Sequence, residues 1–136
     1  MEKVFIDSDI NLMLVKASSF PEGIMAAHQA LHTKITNDPD RMIYGISYPD
    51  KDGKIQYYAA ANELSLNEAL DYQLEQMVLR KGNYYSEIIQ DYMQNLSAIG
   101  TCFQQLISQS DIDPEACCIE WYKTRTEVQC MVRIKE

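Results

Sequence analysis

At 136 residues and 46% apolar composition, the chain is long enough to bury a real core and has the usual size of one domain. Its 20 acidic residues against 12 basic ones give a net charge of −8, with no Lys/Arg cluster to offset it, which disfavours direct contact with a phosphate backbone. No apolar run approaches the roughly 18 to 20 residues of a membrane span, and the charged start Met1-Glu2-Lys3 has no signal-like apolar stretch behind it, so a cytoplasmic protein with no membrane association is expected.

Cys102, Cys117, Cys118 and Cys130 include no CxxC pair, and two of them are adjacent on a strand-like segment, so neither a zinc site nor a disulfide framework is indicated. Reduced core thiols are the simpler reading.

In chain order, Val4 to Ala17 mixes β-branched and long apolar residues in alternation and reads as extended. Ser19-Phe20-Pro21-Glu22 matches a capping box. Ile24, Ala27, His28, Leu31 and Ile35 follow at helical spacing, up to the turn chemistry of Asn37-Asp38-Pro39-Asp40. Two strands are predicted over Arg41 to Tyr48 and Lys54 to Glu63, joined by a hairpin loop at Pro49-Asp50-Lys51-Asp52-Gly53. In the second, Ile55, Tyr57, Ala59 and Ala61 share one face.

A further capping-box match, Ser65-Leu66-Asn67-Glu68, predicts a short helical turn before the pattern restarts. Leu74 to Ile89 reads as one long strand with a bulge at Lys81-Gly82-Asn83. Tyr92, Leu96, Ile99, Phe103 and Leu106 mark a helix that ends by Asp111-Ile112-Asp113-Pro114. Strands over Ala116 to Tyr122 and Val128 to Ile134 close the chain. The order βαββ occurs twice, roughly over residues 1–64 and 72–136, without an identity repeat. The expected fold is α+β, duplicated βαββ units forming a curved antiparallel sheet with two helices on one face and a groove between them.

Within the strand Cys118-Ile119-Glu120-Trp121-Tyr122, Glu120 has two opposite readings. With Ile119 and Trp121 toward the core, it faces water. With Cys118 and Tyr122 inward, it is a carboxylate buried among aromatics, where it must neutralise or take a partner. Periodicity leaves both open.

Other motifs point to no chemistry. His28 and His32 stand one helical turn apart but lack an obvious third metal ligand. Asp50-Lys51-Asp52-Gly53 has Ala61 where a calcium loop needs a glutamate. Cys118 has no histidine nearby in sequence to activate it. No phosphate loop or nucleophile elbow is present, so no metal, cofactor or catalytic residue is assigned.

Gly45-Ile46-Ser47-Tyr48, Tyr57-Tyr58-Ala59-Ala60, Lys81-Gly82-Asn83-Tyr84 and Glu120-Trp121-Tyr122 occur in the order of the GyrI-like small-molecule-binding domains, which the chain resembles along nearly its whole length. That family includes effector-binding domains of multidrug-responsive transcription activators and gyrase-inhibitory proteins. The resemblance implies a ligand pocket between the halves and an inward Glu120. The chain starts at the first strand without a helix-turn-helix, so a stand-alone form rather than an activator is expected.

On this reading Glu120 is the charge partner of an apolar, cationic or aromatic ligand, and Tyr122, Trp121, Tyr57, Tyr44 and Tyr84, with Tyr85, form aromatic walls. Two alternatives stay open. A hydrolase could use Glu120 as general acid or base beside a tyrosine hydroxyl, since some similar proteins hydrolyse strained electrophiles. A protein-interaction module of gyrase-inhibitor type would bring a protein partner or a homodimer.

Overall fold

The computed structural model describes all 136 residues. Eight strands form one antiparallel sheet: β1 Glu2–Ile6, β2 Ile10–Lys16, β3 Ile43–Pro49, β4 Ile55–Asn62, β5 Glu75–Leu79, β6 Gly82–Gln90, β7 Cys118–Tyr122 and β8 Glu127–Arg133. Helices α1 (Ile24–Lys34) and α3 (Ser97–Ile107) lie on one face, and a single helical turn, α2 (Glu68–Asp71), links the halves. The α+β class and the curved antiparallel sheet are those expected from the sequence, while each expected βαββ unit has one more strand at its start. No helix is long and apolar enough to cross a membrane.

The strand order is β1-β6-β8-β7-β3-β4-β2-β5, and its two ends depart from a pair of self-contained βαββ halves. The stretch read as one strand from Val4 to Ala17 is two strands, as is Leu74 to Ile89, and each leading piece pairs with the other half. β1 runs along β6, with Glu2 opposite Ser86, and β5 runs along β2, with Leu79 opposite Ile10. What looked like a bulge at Lys81-Gly82-Asn83 is the crossing point. Gly82 stands there at φ +138°, a conformation that side-chain-bearing residues rarely adopt. The Lys81 amide donates to Asp9 Oδ1 at 2.8 Å, tying this crossing to the one between β1 and β2.

The exchange forces the sheet to curl. Leu79 of β5 and Tyr84 of β6, from opposite ends of the strand order, share an apolar cluster with Leu12, Ile46, Ile119 and Met131. This inner face has no helix over it. On the outer face α1 packs on β2 and β4 through Ala27 and Leu31, and α3 packs on β6 and β8 through Cys102, Phe103 and Leu106. Central strands are therefore interior on both faces, and every residue of β8 after Glu127 is buried. The curl leaves this strand without a wet face.

Neither capping-box match makes a side-chain cap. Gly23 precedes α1 without one, and the helix begins at Ile24 after a turn in which the Gly23 amide donates to Ser19 O at 3.1 Å. Glu68 instead opens α2 and serves as a clamp. Its carboxylate takes two hydrogen bonds from the Arg41 guanidinium, at 2.7 and 2.8 Å, and one from the Leu64 amide at 2.8 Å. The side chains of the pair are only 4% and 10% exposed. The second helix is also shorter than predicted, because Tyr92–Gln94 forms a separate 3₁₀ turn and leaves Leu96 exposed.

Breaking one partner of a buried, hydrogen-bonded ion pair leaves the other charge uncompensated. Replacing Arg41 by Met is expected to lower stability by about 3 kcal/mol in urea unfolding, with strand content retained in the circular dichroism spectrum.

Candidate functional site

Because α1 covers β2 and β4 while α3 covers β6 and β8, the central pair β3–β7 lies between the helices. In that pair Gly45 stands opposite Glu120. Both point to the helix face, since Glu120 shares its side of β7 with Cys118 and Tyr122 while Ile119 and Trp121 join the inner cluster. A side chain at residue 45 has no room. A Cβ there would overlap the Tyr57 hydroxyl and stand 2.8 Å from Glu120 Oε1. Glycine lets the tyrosine and the glutamate close over the strand.

Glu120 is half-buried, and its Oε1 is the focus of a hydroxyl network. Tyr122 donates to it through a short hydrogen bond, and Tyr57 approaches at 3.5 Å. The two hydroxyls are 3.3 Å apart, and Tyr57 also meets His28 Nε2 of α1 at 2.8 Å. No Lys, Arg or His forms an ion pair with Glu120; the four salt bridges of the protein all lie elsewhere. Oε2 receives no hydrogen bond from the protein and is not fully sealed from solvent.

Aromatic rings surround this carboxylate. His28 meets Tyr122 edge-on at 5.5 Å between centroids, Tyr92 lies tilted against Tyr122 at 5.6 Å, and Phe20 stacks on Tyr57 at 6.0 Å. Burial raises the Glu120 carboxyl above the ordinary range, against the opposing pull of Tyr122 and Tyr57. Burial, and then the Glu120 charge, push both phenols far up. His28 is lowered to about 4 by burial and by neighbouring His32, so it is neutral at physiological pH. Cys118 is pushed up to about 12, chiefly by burial, which leaves its thiol protonated and unreactive.

Of the residues singled out in the sequence, the structure brings Glu120, Tyr57 and Tyr122 together and separates the rest from them. Tyr44 stacks on Trp121 at 6.2 Å on the inner face, where Tyr84 donates to Arg80 O at 2.6 Å. Tyr85 binds the Asp111 carboxylate at 2.8 and 2.9 Å, beyond α3. Strand alternation accounts for this, since Trp121 cannot share a side with Glu120 and Tyr122. His28, Tyr92 and Phe20 were missed as neighbours of Glu120. His28 and Tyr92 looked like helix core positions, and Phe20 sat in an apparent cap.

No cluster of three or more His, Cys, Asp or Glu side chains is arranged to hold a metal. Two clefts lie away from Glu120. One of about 410 Å³ runs beside α3, lined by Glu87, Thr101 and Gln105 among others, and one of about 120 Å³ opens on the inner face near Met77, Cys117 and Arg133.

No family profile matches the sequence, and no curated protein matches it. Solved structures do. The chain is similar to an integron cassette protein from the mobile metagenome of Vibrio cholerae (TM-score 0.69, 11% identity, 98% of this chain and 95% of that one). It is also similar to the protein SAV2435 bound to tetraphenylphosphonium (TM-score 0.64, 14% identity, 98% and 93%). A third likeness is to a hydrolase from Listeria innocua (TM-score 0.63, 10% identity, 98% and 90%). At these identities the likeness is one of fold.

Two stability measurements probe the site. Gly45→Ala is expected to destabilise by about 1 to 3 kcal/mol in urea unfolding, because Tyr57 or Glu120 must move. A carboxyl whose pKa is raised in the folded state binds its proton more tightly there than when unfolded, so its contribution is fullest in acid and is lost as pH rises through the raised value. Glu120→Gln is therefore expected to raise the thermal midpoint at neutral pH, and this gain should vanish below the ordinary carboxyl range in melts taken across pH.

Proposed function

We propose that the space between α1 and α3 over β3 and β7 is a recess that binds an apolar organic cation, with Glu120 as its counter-charge and Tyr57, Tyr122, Tyr92, Phe20 and His28 as its aromatic surroundings. One observation carries the reading: a carboxylate is set into the middle of the sheet without any cation from the protein. A buried acid with no partner is costly to ionise, and a bound cation offsets that cost. Each aromatic face in contact with the ligand charge would add about 0.5 to 2 kcal/mol. The tetraphenylphosphonium complex of a similarly folded protein supports the reading, as does the resemblance to GyrI-like domains, to which we assign the chain as a single ligand-binding unit.

A second reading is favoured by the raised Glu120 carboxyl beside the Tyr122 hydroxyl and by the fold shared with a hydrolase. Here Glu120 passes a proton to or from water at an electrophilic substrate. Product formed in excess over protein distinguishes this from simple binding.

Calorimetric titration with tetraphenylphosphonium tests the proposal. The probe keeps its charge at every pH, so its affinity should rise with pH as Glu120 loses its proton and then level off. Glu120→Gln should weaken binding by about tenfold or more and flatten that profile. Unchanged affinity in Glu120→Gln rules out the charge role.

A further inference from the structure

The two oxygens of Glu120 are not equivalent, and the difference bears on which cations fit. Oε1 is served by the Tyr122 and Tyr57 hydroxyls and packed above Gly45. Oε2 has no donor within the protein and is not fully sealed from solvent. Neither hydroxyl of the network reaches it. Tyr122 gives its one proton to Oε1, and the Tyr57 hydroxyl has Oε1 at 3.5 Å, the Tyr122 hydroxyl at 3.3 Å and His28 Nε2, as acceptor or donor according to its tautomer, at 2.8 Å.

A ligand that fills the recess removes water from Oε2. If it covers that oxygen with C–H groups, a charged acceptor loses its hydrogen bonds and regains only Coulomb attraction. If it presents an N–H, the lost water is replaced by a charge-assisted hydrogen bond, which is shorter and stronger than a neutral one.

Resting on the reading of the recess as a cation site, we infer that the preferred ligand is a protonated amine on an apolar or aromatic body, its N–H donated to Glu120 Oε2, and that quaternary cations of the same shape are discriminated against. The tyrosines set this preference by occupying Oε1. Selectivity here comes from an acceptor that the protein leaves open, and the aromatic surroundings, indifferent to N–H or N–CH₃, supply affinity to both.

The test compares dimethylaminomethyl pyrene, protonated at neutral pH, with its trimethylammonium salt, using pyrene fluorescence on the parent protein. The amine is expected to bind about tenfold or more tightly, the scale of one unsatisfied charged acceptor. In Glu120→Gln the ratio should fall toward one. Because the deciding comparison uses the parent protein, it stands whether or not the variant folds. Equal affinity of the two salts for the parent, or tighter binding of the quaternary one, overturns the inference and leaves the cation reading intact. Failure of both salts and of tetraphenylphosphonium to bind overturns the cation reading as well.

Discussion

The exchange of leading strands between the two halves is the constraint on which the rest of the architecture depends. β1 belongs in sequence to the first half and pairs with the second, and β5 does the reverse. With only three residues between β1 and β2 and two between β5 and β6, the ends of the strand order must come close. The sheet curls, one face becomes a closed apolar interior, and both helices are left to the other. The middle of that outer face, where the halves meet, lies between the two helices.

A polar site on this stretch follows from residue choice at three positions. Gly45 removes the side chain opposite Glu120, and Tyr57 and Tyr122 reach into the space from neighbouring positions on the same face. Without the glycine the hydroxyls could not converge on Oε1. Without the hydroxyls, the carboxylate would be far costlier to hold at such depth. His28, on a helix rather than a strand, fixes Tyr57 from above and links the sheet network to α1.

The elements were legible in the sequence because their signals are local. The hairpin at Asp50 to Gly53 has turn residues whose carboxylate binds the Asp52 and Lys54 amides, and α1 stops where Ile35 turns extended just ahead of Asp38-Pro39. The strand exchange was not legible, because the polar break Asp7-Ser8-Asp9 does not say which strand each piece pairs with, and only distant partners decide. The orientation of Glu120 was illegible for a related reason. Alternation separates a core face from a wet face, but β7 sends Ile119 inward to one core and Cys118 to another. Trp121 was grouped with Glu120 by adjacency in sequence, which in a strand means opposite sides.

The order in which the chain emerges during synthesis gives the exchange one more consequence. Glu2 pairs with Ser86 and Ile6 with Gly82, so β1 leaves the ribosome long before its partner exists. The first half can assemble β2, α1, β3 and β4, but its outer edge stays bare until Glu75–Leu79 arrives, and β7 must follow before Glu120 meets Gly45. Contacts so distant along the chain form late and slowly. A nascent first half therefore exposes strand edges for most of its time on the ribosome, and the cluster around Glu120 is among the last features to exist.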